Sequence, residues 1–189
     1  AETMTKNLAY SLLMVFGSSV LGACQMFDAV KGHPDSKSDV NQNTVQIYCS
    51  GAESCQFGRL DDLIVVNEKT QRINSDAVKR GWVKYTESTE LNKQLYLYVP
   101  AKQHELVIRF YPISQQHAEV FHVIHRFKAN QKYTFKMYRD RKQNSGSLLN
   151  VSAPPPLCVD LLQNTRVIRR FCRPYNVVTG VSEYIEQKI

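Results

Sequence analysis

The chain has 189 residues, 43% of them apolar, and carries 24 Lys and Arg against 17 Asp and Glu, a formal net charge of +7. That length supports one domain with a substantial core, and no internal repeat is present, which excludes a repeat array. With a pI near 9.2 the chain favours anionic partners, so its compartment decides which anions it meets.

The first element in chain order is a short cationic start, Met4-Thr5-Lys6-Asn7, followed by the mostly apolar stretch Leu8 to Val20. About a dozen apolar residues are too few to span a bilayer comfortably but suit the core of a signal peptide. A buried amphipathic helix would show a polar stripe at helical spacing, whereas the only polar breaks here are Ser11, Ser18 and Ser19 among apolar neighbours. Small residues then precede a cysteine in Leu21-Gly22-Ala23-Cys24. This pattern resembles the lipobox of bacterial lipoproteins, in which the signal is cleaved just before the cysteine and the thiol carries a diacylglycerol. The resemblance implies a signal peptide over 1–23, with a short extension ahead of Met4, and a lipid on Cys24 that holds the mature chain to a membrane. It also implies delivery to the outer membrane, since Gln25 stands where enteric-type lipoproteins retained at the inner membrane carry aspartate, and a domain facing the periplasm. Residues 24–43 are polar, with Gly32 and Pro34 and no aromatic after Phe27, as expected of a flexible tether.

If Cys24 carries lipid, Cys49, Cys55, Cys158 and Cys172 remain as an even set for two disulfides, which persist in an oxidising periplasm. Three connectivities exist for four cysteines, and proximity favours Cys49 with Cys55 and Cys158 with Cys172. Zinc is a poor match, because neither pair is C-x-x-C and no histidine lies close to either.

From Thr44 onward the pattern is that of a single, mainly β domain over 44–189. Candidate strands are Val45 to Cys49, Leu63 to Val66 and Leu95 to Val99, the last ended by Pro100. Period-two alternation is clearest at Leu106, Ile108 and Phe110, before Pro112, then at Phe121, Val123 and Phe127, then at Tyr133, Phe135 and Met137. A short polar link between the last two predicts a hairpin of Ala118 to Phe127 with Lys132 to Arg139. The one helical signal is Ser75 to Gly81, with a capping residue at one end and a glycine at the other. Several short strands with turns between them predict a β-sandwich of the immunoglobulin-like or transthyretin-like kind.

The run Ala153-Pro154-Pro155-Pro156 reads as a rigid polyproline spacer. Beyond it, Cys158 and Cys172 lie symmetrically about Thr165, so a hairpin turning near Gln163-Asn164-Thr165 brings them opposite one another. A helix would hold them about 20 Å apart, beyond the reach of a disulfide.

The excess positive charge gathers in Arg126, Lys128, Lys132, Lys136, Arg139, Arg141 and Lys142, and again in Arg166, Arg169, Arg170 and Arg173. On the predicted strand Lys132 to Arg139 the lysines alternate with Tyr133, Phe135 and Met137, which predicts a basic outward face. Arg126, Lys128, Lys132, Lys136 and Arg139 of the hairpin form a candidate interaction patch, to be weighed evenly against a surface that merely keeps the protein soluble. An exported, lipid-anchored chain seldom meets nucleic acid, and no recognition motif for it occurs. Anionic lipid headgroups, lipopolysaccharide phosphates or an acidic envelope protein fit the expected location.

Catalysis finds little support. His122 and His125 are three apart on a strand and point to opposite faces, His104 and His117 read as solvated residues near strand ends, and Asp61-Asp62 reads as a turn. No nucleophile, nucleotide or metal motif occurs, so no catalytic residue, cofactor or metal is expected. The reading that results is a non-catalytic outer-membrane lipoprotein, an interaction or assembly adaptor within a secretion or other trans-envelope machine. The runner-up is a periplasmic lipid- or glycan-binding lipoprotein, which a deep apolar cavity would favour.

Overall fold

The computed structural model describes residues 43–87, 94–141, 154–174 and 182–189. The expected signal peptide, Cys24, the tether up to residue 42, and Ala153 at the head of the proline run lie outside the described residues. The described part is mainly β. Strands β1 (Thr44–Ser50), β2 (Ser54–Leu60) and β3 (Leu63–Ile64) precede helix α1 (Ser75–Lys79), and β4 (Val83–Tyr85), β5 (Leu95–Pro100), β6 (Gln103–Tyr111) and β7 (Glu119–Arg126) follow it. After these come β8 (Lys132–Arg139), β9 (Leu157–Gln163), β10 (Arg166–Arg173) and β11 (Ile185–Gln187).

The strands form two sheets. The larger has seven strands in the order β11-β10-β9-β8-β1-β5-β4, and the smaller has four in the order β3-β2-β6-β7. All neighbours are antiparallel except β1 and β8, which run parallel with Ile47 opposite Tyr133 and Cys49 opposite Phe135. Alternation places Val45, Ile47, Leu97, Val99, Tyr133, Phe135 and Met137 on the inner side of the large sheet. Phe57, Leu60, Leu106, Ile108, Phe110, Phe121 and Val123 come from the small sheet to the same core. Phe121 of β7 meets Phe135 of β8 with ring centroids 5.9 Å apart.

That contact corrects the predicted hairpin. Ala118–Phe127 and Lys132–Arg139 are consecutive strands, but β7 pairs with β6 in the small sheet while β8 pairs with β1 and β9 in the large one. The link between them crosses from one sheet to the other, because Phe127 N–H donates to Lys102 O at 3.0 Å on one side and Asn130 N–H donates to Thr44 O at 2.9 Å on the other. Asn130 makes the bend with φ of +58°, a left-handed conformation that asparagine tolerates. The apolar faces of the two strands therefore meet across the core instead of lying side by side.

The C-terminal hairpin forms as the cysteine symmetry predicts. Asn164-Thr165 make the turn, Asn164 at φ +54°, and Cys158 stands opposite Cys172 in the β9–β10 register. These two are joined, with Cα atoms 4.1 Å apart, and Cys49 is joined to Cys55 across the β1–β2 turn with Cα atoms 6.1 Å apart. Helix α1 begins one residue earlier than Ser75 suggests: the Asn74 side chain accepts the Asp76 N–H at 2.8 Å, and Gly81 follows at φ +69°.

His104 departs from expectation. It is buried, not solvated, with Nδ1 2.8 Å from the Asp61 carboxylate and Nε2 2.7 Å from Pro100 O. Asp61 and Asp62 form the β2–β3 turn, and the other Asp61 oxygen accepts the Glu105 N–H at 2.9 Å. Burial alone would raise the Asp61 pKa, but the Glu105 N–H and the His104 ring outweigh it and hold the carboxylate below its ordinary range. The group pins a turn of the small sheet to the head of β6.

Arg169 closes one flank of the two-sheet stack. Its guanidinium holds Glu186 of β11 in a bidentate pair at 2.7 Å and donates to Ile124 O of β7 at 2.9 Å. His125 packs beside it, edge-on to Phe127 and Tyr133 at 4.8 and 5.6 Å between centroids. Burial, and then the Arg169 charge, push the His125 pKa down to about 4. A base whose folded pKa is depressed binds its proton more readily when unfolded, so its contribution to stability is complete above about pH 6.5 and is lost as pH falls toward 4. The shift corresponds to about 3 kcal/mol undiscounted, and to about 1 to 2 kcal/mol once residual solvent contact is allowed for. Urea unfolding between pH 7 and 4.5 is therefore expected to show falling stability that His125→Gln largely flattens. Equal slopes for the two proteins would contradict this.

Candidate functional site

The outward face of the large sheet is where polar chemistry collects. Residues that alternate with the core positions point there: Gln46, Tyr48 and Ser50 on β1, Tyr96 and Tyr98 on β5, Lys84 on β4, and Lys132, Thr134, Lys136 and Tyr138 on β8. The registers bring chain-distant members together. Tyr48 and Tyr96 stack across adjacent strands with centroids 4.6 Å apart and planes 13° from parallel. The Lys132 ammonium lies 4.4 Å from the Tyr48 centroid, and the Lys84 ammonium lies 4.0 Å from that of Tyr98. Each cation–π contact is worth about 0.5 to 1 kcal/mol at such an exposed position.

The Tyr48 ring thus has a phenol against it and an ammonium against it, and the stack runs across the strands. Burial, then the neighbouring Tyr96, raises the Tyr48 pKa, and burial, then Glu87, raises that of Tyr96. The phenols stay neutral, and each keeps an O–H to donate. Tyr48 spends its own on Gln46 Oε1 at 3.3 Å.

At the other end of the face, Asp160 of β9 is buried and receives the Arg170 guanidinium of β10 in a bidentate pair at 2.7 and 2.8 Å. Tyr138 O–H also donates to Asp160, at 3.2 Å, and its pKa is pushed up to about 12 by burial and then by that carboxylate. The hydrogen bond with Asp160 raises the Arg170 pKa further still. Arginine and carboxylate neutralise each other. Lys84, Lys132 and Lys136 do not have this compensation: among the described residues none of them forms an ion pair.

The basic patch expected on one hairpin is accordingly divided. Lys132 and Lys136 belong to the open face, whereas Arg126 is at the end of β7 in the small sheet and Lys128 is in the link between the sheets. Arg139 closes β8 and donates to Pro155 O at 3.3 Å. The split follows directly from the crossover between β7 and β8. Tyr48, Tyr96, Tyr98 and Lys84 were not singled out from sequence, although the alternations Tyr48-Cys49 and Tyr96-Leu97-Tyr98 carried the signal that these tyrosines face outward.

Other polar groups do not assemble chemistry. His122 is exposed and shares the Glu105 carboxylate with Arg59, at 2.7 and 2.6 Å, which lowers the Glu105 pKa. His125 points to the opposite side of β7, as their spacing predicts. Among the described residues no group of three or more His, Cys, Asp or Glu is placed to hold a metal ion, and no helix is long and apolar enough to cross a membrane. A concavity of about 620 Å³ opens beside the Cys49–Cys55 turn and is lined by Ser50, Gln56, Gln71 and Gln94 with Ile73 and Leu95. Compared with models of protein families, with curated proteins and with solved structures, the chain matches none.

Proposed function

We propose that this protein is a non-catalytic lipoprotein, anchored through lipid on Cys24 to the outer membrane and facing the periplasm, that docks a protein partner in the cell envelope. The observation that carries the reading is the pairing of the remaining four cysteines as two disulfides, Cys49–Cys55 and Cys158–Cys172. Such bridges suit an oxidising compartment and leave Cys24 as the fifth cysteine, at the position of the lipobox resemblance. A broad, polar and aromatic sheet face is the kind of surface that docks macromolecules, and suits an accessory part of a secretion or other trans-envelope machine. The alternative, a lipid- or glycan-binding lipoprotein, draws less support, since the apolar side chains of the two sheets bury one another in a single core cluster. The finer fold class, a β-sandwich of immunoglobulin-like or transthyretin-like topology, belongs to the same proposal and is supported by two sheets around one core.

The anchor is tested directly. Cys24→Ser should leave a protein that is unprocessed or released, because a hydroxyl cannot form the thioether, and intact mass should lack the acyl groups. Several acyl chains give a stable attachment that a single chain does not. Unchanged outer-membrane fractionation with unchanged mass would refute the anchor.

A further inference from the structure

The open face of the large sheet is specific enough to say what it takes. Resting on the reading of the domain as an envelope adaptor, we propose that this face binds an acidic segment of a partner protein, whose carboxylates meet Lys84, Lys132 and Lys136 and the phenol hydroxyls between them.

Charge complementarity carries the first step. The three lysines are not ion-paired among the described residues, whereas the arginine of this face, Arg170, is occupied by Asp160. An acid-bearing partner would therefore supply the missing counter-charge, and a basic or neutral one would not. Spacing carries the second. Lys132 and Lys136 are four residues apart on one strand, about 13 Å, and Lys84 is three strands away from Lys132, about 14 Å. Their backbone positions span more of the sheet than a single phosphate covers, and the arginine of this face, Arg170, is already held by Asp160. An extended macromolecule reaches all three.

The state of the aromatic rings favours a protein over a glycan or a membrane. A sugar that stacks on an aromatic ring needs an open ring face, yet Lys132 and Tyr96 both lie against Tyr48, and Lys84 takes one face of Tyr98. Membrane insertion needs side chains able to swing into lipid, and this stack ties the phenols to one another and to the lysines. What is left outward is the hydroxyls of Tyr96 and Tyr98 and the ammonium groups, the Tyr48 and Tyr138 hydroxyls being given to Gln46 and Asp160. Tyrosine is enriched at protein interfaces because it presents contact area and a donor at little entropic cost, and here the stacking has already ordered it.

The test uses the full lipidated chain in its native membranes and a zero-length carbodiimide, which joins an amine to a carboxylate only in direct contact. Lys84, Lys132 and Lys136 should yield cross-linked peptides to Asp or Glu of one partner, located by mass spectrometry. Partner recovery without cross-linker should fall at least tenfold in K132E/K136E and in K84E, survive in K132R/K136R, which keeps the charge but removes the two amines and so leaves Lys84 alone to form links, and be unchanged in R126E/K128E, with all variants folded by circular dichroism. Recovery should also fall as salt rises, since exposed charges are screened over about 8 to 10 Å at physiological ionic strength. Unchanged partner recovery in the lysine reversals, or no link from these lysines in the parent, would overturn the proposal. Equal binding of the parent to phosphatidylglycerol vesicles or lipopolysaccharide, lost in the same variants, would assign the face to anionic lipid instead. A partner captured through Arg126 and Lys128 would leave the adaptor reading standing and remove this face from it, while no partner on any surface would remove the adaptor reading itself.

Discussion

Gly51→Ala is expected to cost about 2 to 5 kcal/mol, enough to unfold a marginally stable domain of this size. Gly51 lies in the turn between β1 and β2 at φ +89°, where an L side chain is strained. The turn folds down onto β8, so an added Cβ would collide with the Met137 carbonyl oxygen and stand 2.9 Å from the Met137 amide nitrogen. Both are backbone atoms of a strand held on its two sides by β1 and β9, and neither can step aside as a flexible side chain would. The Cys49–Cys55 bridge removes the other escape, since it holds the ends of the turn together. Gly81→Ala provides the control: its φ is +69°, but nothing lies within 4 Å of the added carbon, so it should show the conformational cost of about 1 to 2 kcal/mol without the clash. Urea denaturation of the two variants, compared with the parent, separates the terms. Equal losses at the two sites would mean that the β1–β2 turn yields freely and that close packing on β8 is not what requires glycine there.

The parts of this fold that were legible in sequence are those where the pattern determines a face or a distance. Alternation at Leu106, Ile108 and Phe110 and at Tyr133, Phe135 and Met137 marks strands, because any sheet with one buried side imposes a period of two. The symmetry of Cys158 and Cys172 about Thr165 points to a hairpin, because if the two pair with each other a single helix, which would hold them about 20 Å apart, is excluded. Alternation does not say which sheet a strand joins, and the error over β7 and β8 has that origin: the same five-residue link serves a turn or a crossing, and hydrogen bonds to Lys102 and Thr44 decide it. Strand β2 was missed for a different reason. Its ladder slips between Phe57 and Arg59, at Gly58, where the Arg109 side chain lies so close that an added Cβ would come within 2.8 Å of its guanidinium. A bulge of that kind erases the period on which the reading depends. His104 was misjudged because a histidine at a strand end is usually solvated, and only the fold shows that Asp61 returns from 43 residues away to meet it. The tyrosine and lysine face is a product of register. Tyr48 and Tyr96 are 48 positions apart in sequence, and nothing local to either announces the other.

Removing the Cys158–Cys172 bridge as a paired Cys158→Ala and Cys172→Ala variant is expected to destabilise the domain by about 2 to 4 kcal/mol. In the chain-entropy account a bridge closing about 15 residues restricts the unfolded chain by about 3 kcal/mol, against somewhat over 2 kcal/mol for the seven-residue loop of Cys49 and Cys55. The difference between the two is small on that basis, and position in the sheet enlarges it. Cys158 and Cys172 are both buried and join β9 to β10, and β10 in turn holds the three-residue strand β11. Without the bridge β10 keeps β9 as a partner through its ladder and through the Arg170 pair with Asp160, and keeps the flank through Arg169 and Glu186. The second of these is a partly exposed ion pair, worth about 1 kcal/mol or less, and cannot replace a covalent link. Loosening should therefore begin at β11 and β10 and leave the centre of the large sheet, where β1 lies between β8 and β5, protected longest. Hydrogen exchange followed by peptide mass analysis would show this as faster exchange over 166–173 and 185–187, with 45–49 and 133–137 unchanged. Uniform acceleration across all strands would mean that the domain opens only as a whole, and that the bridge acts on the unfolded chain alone.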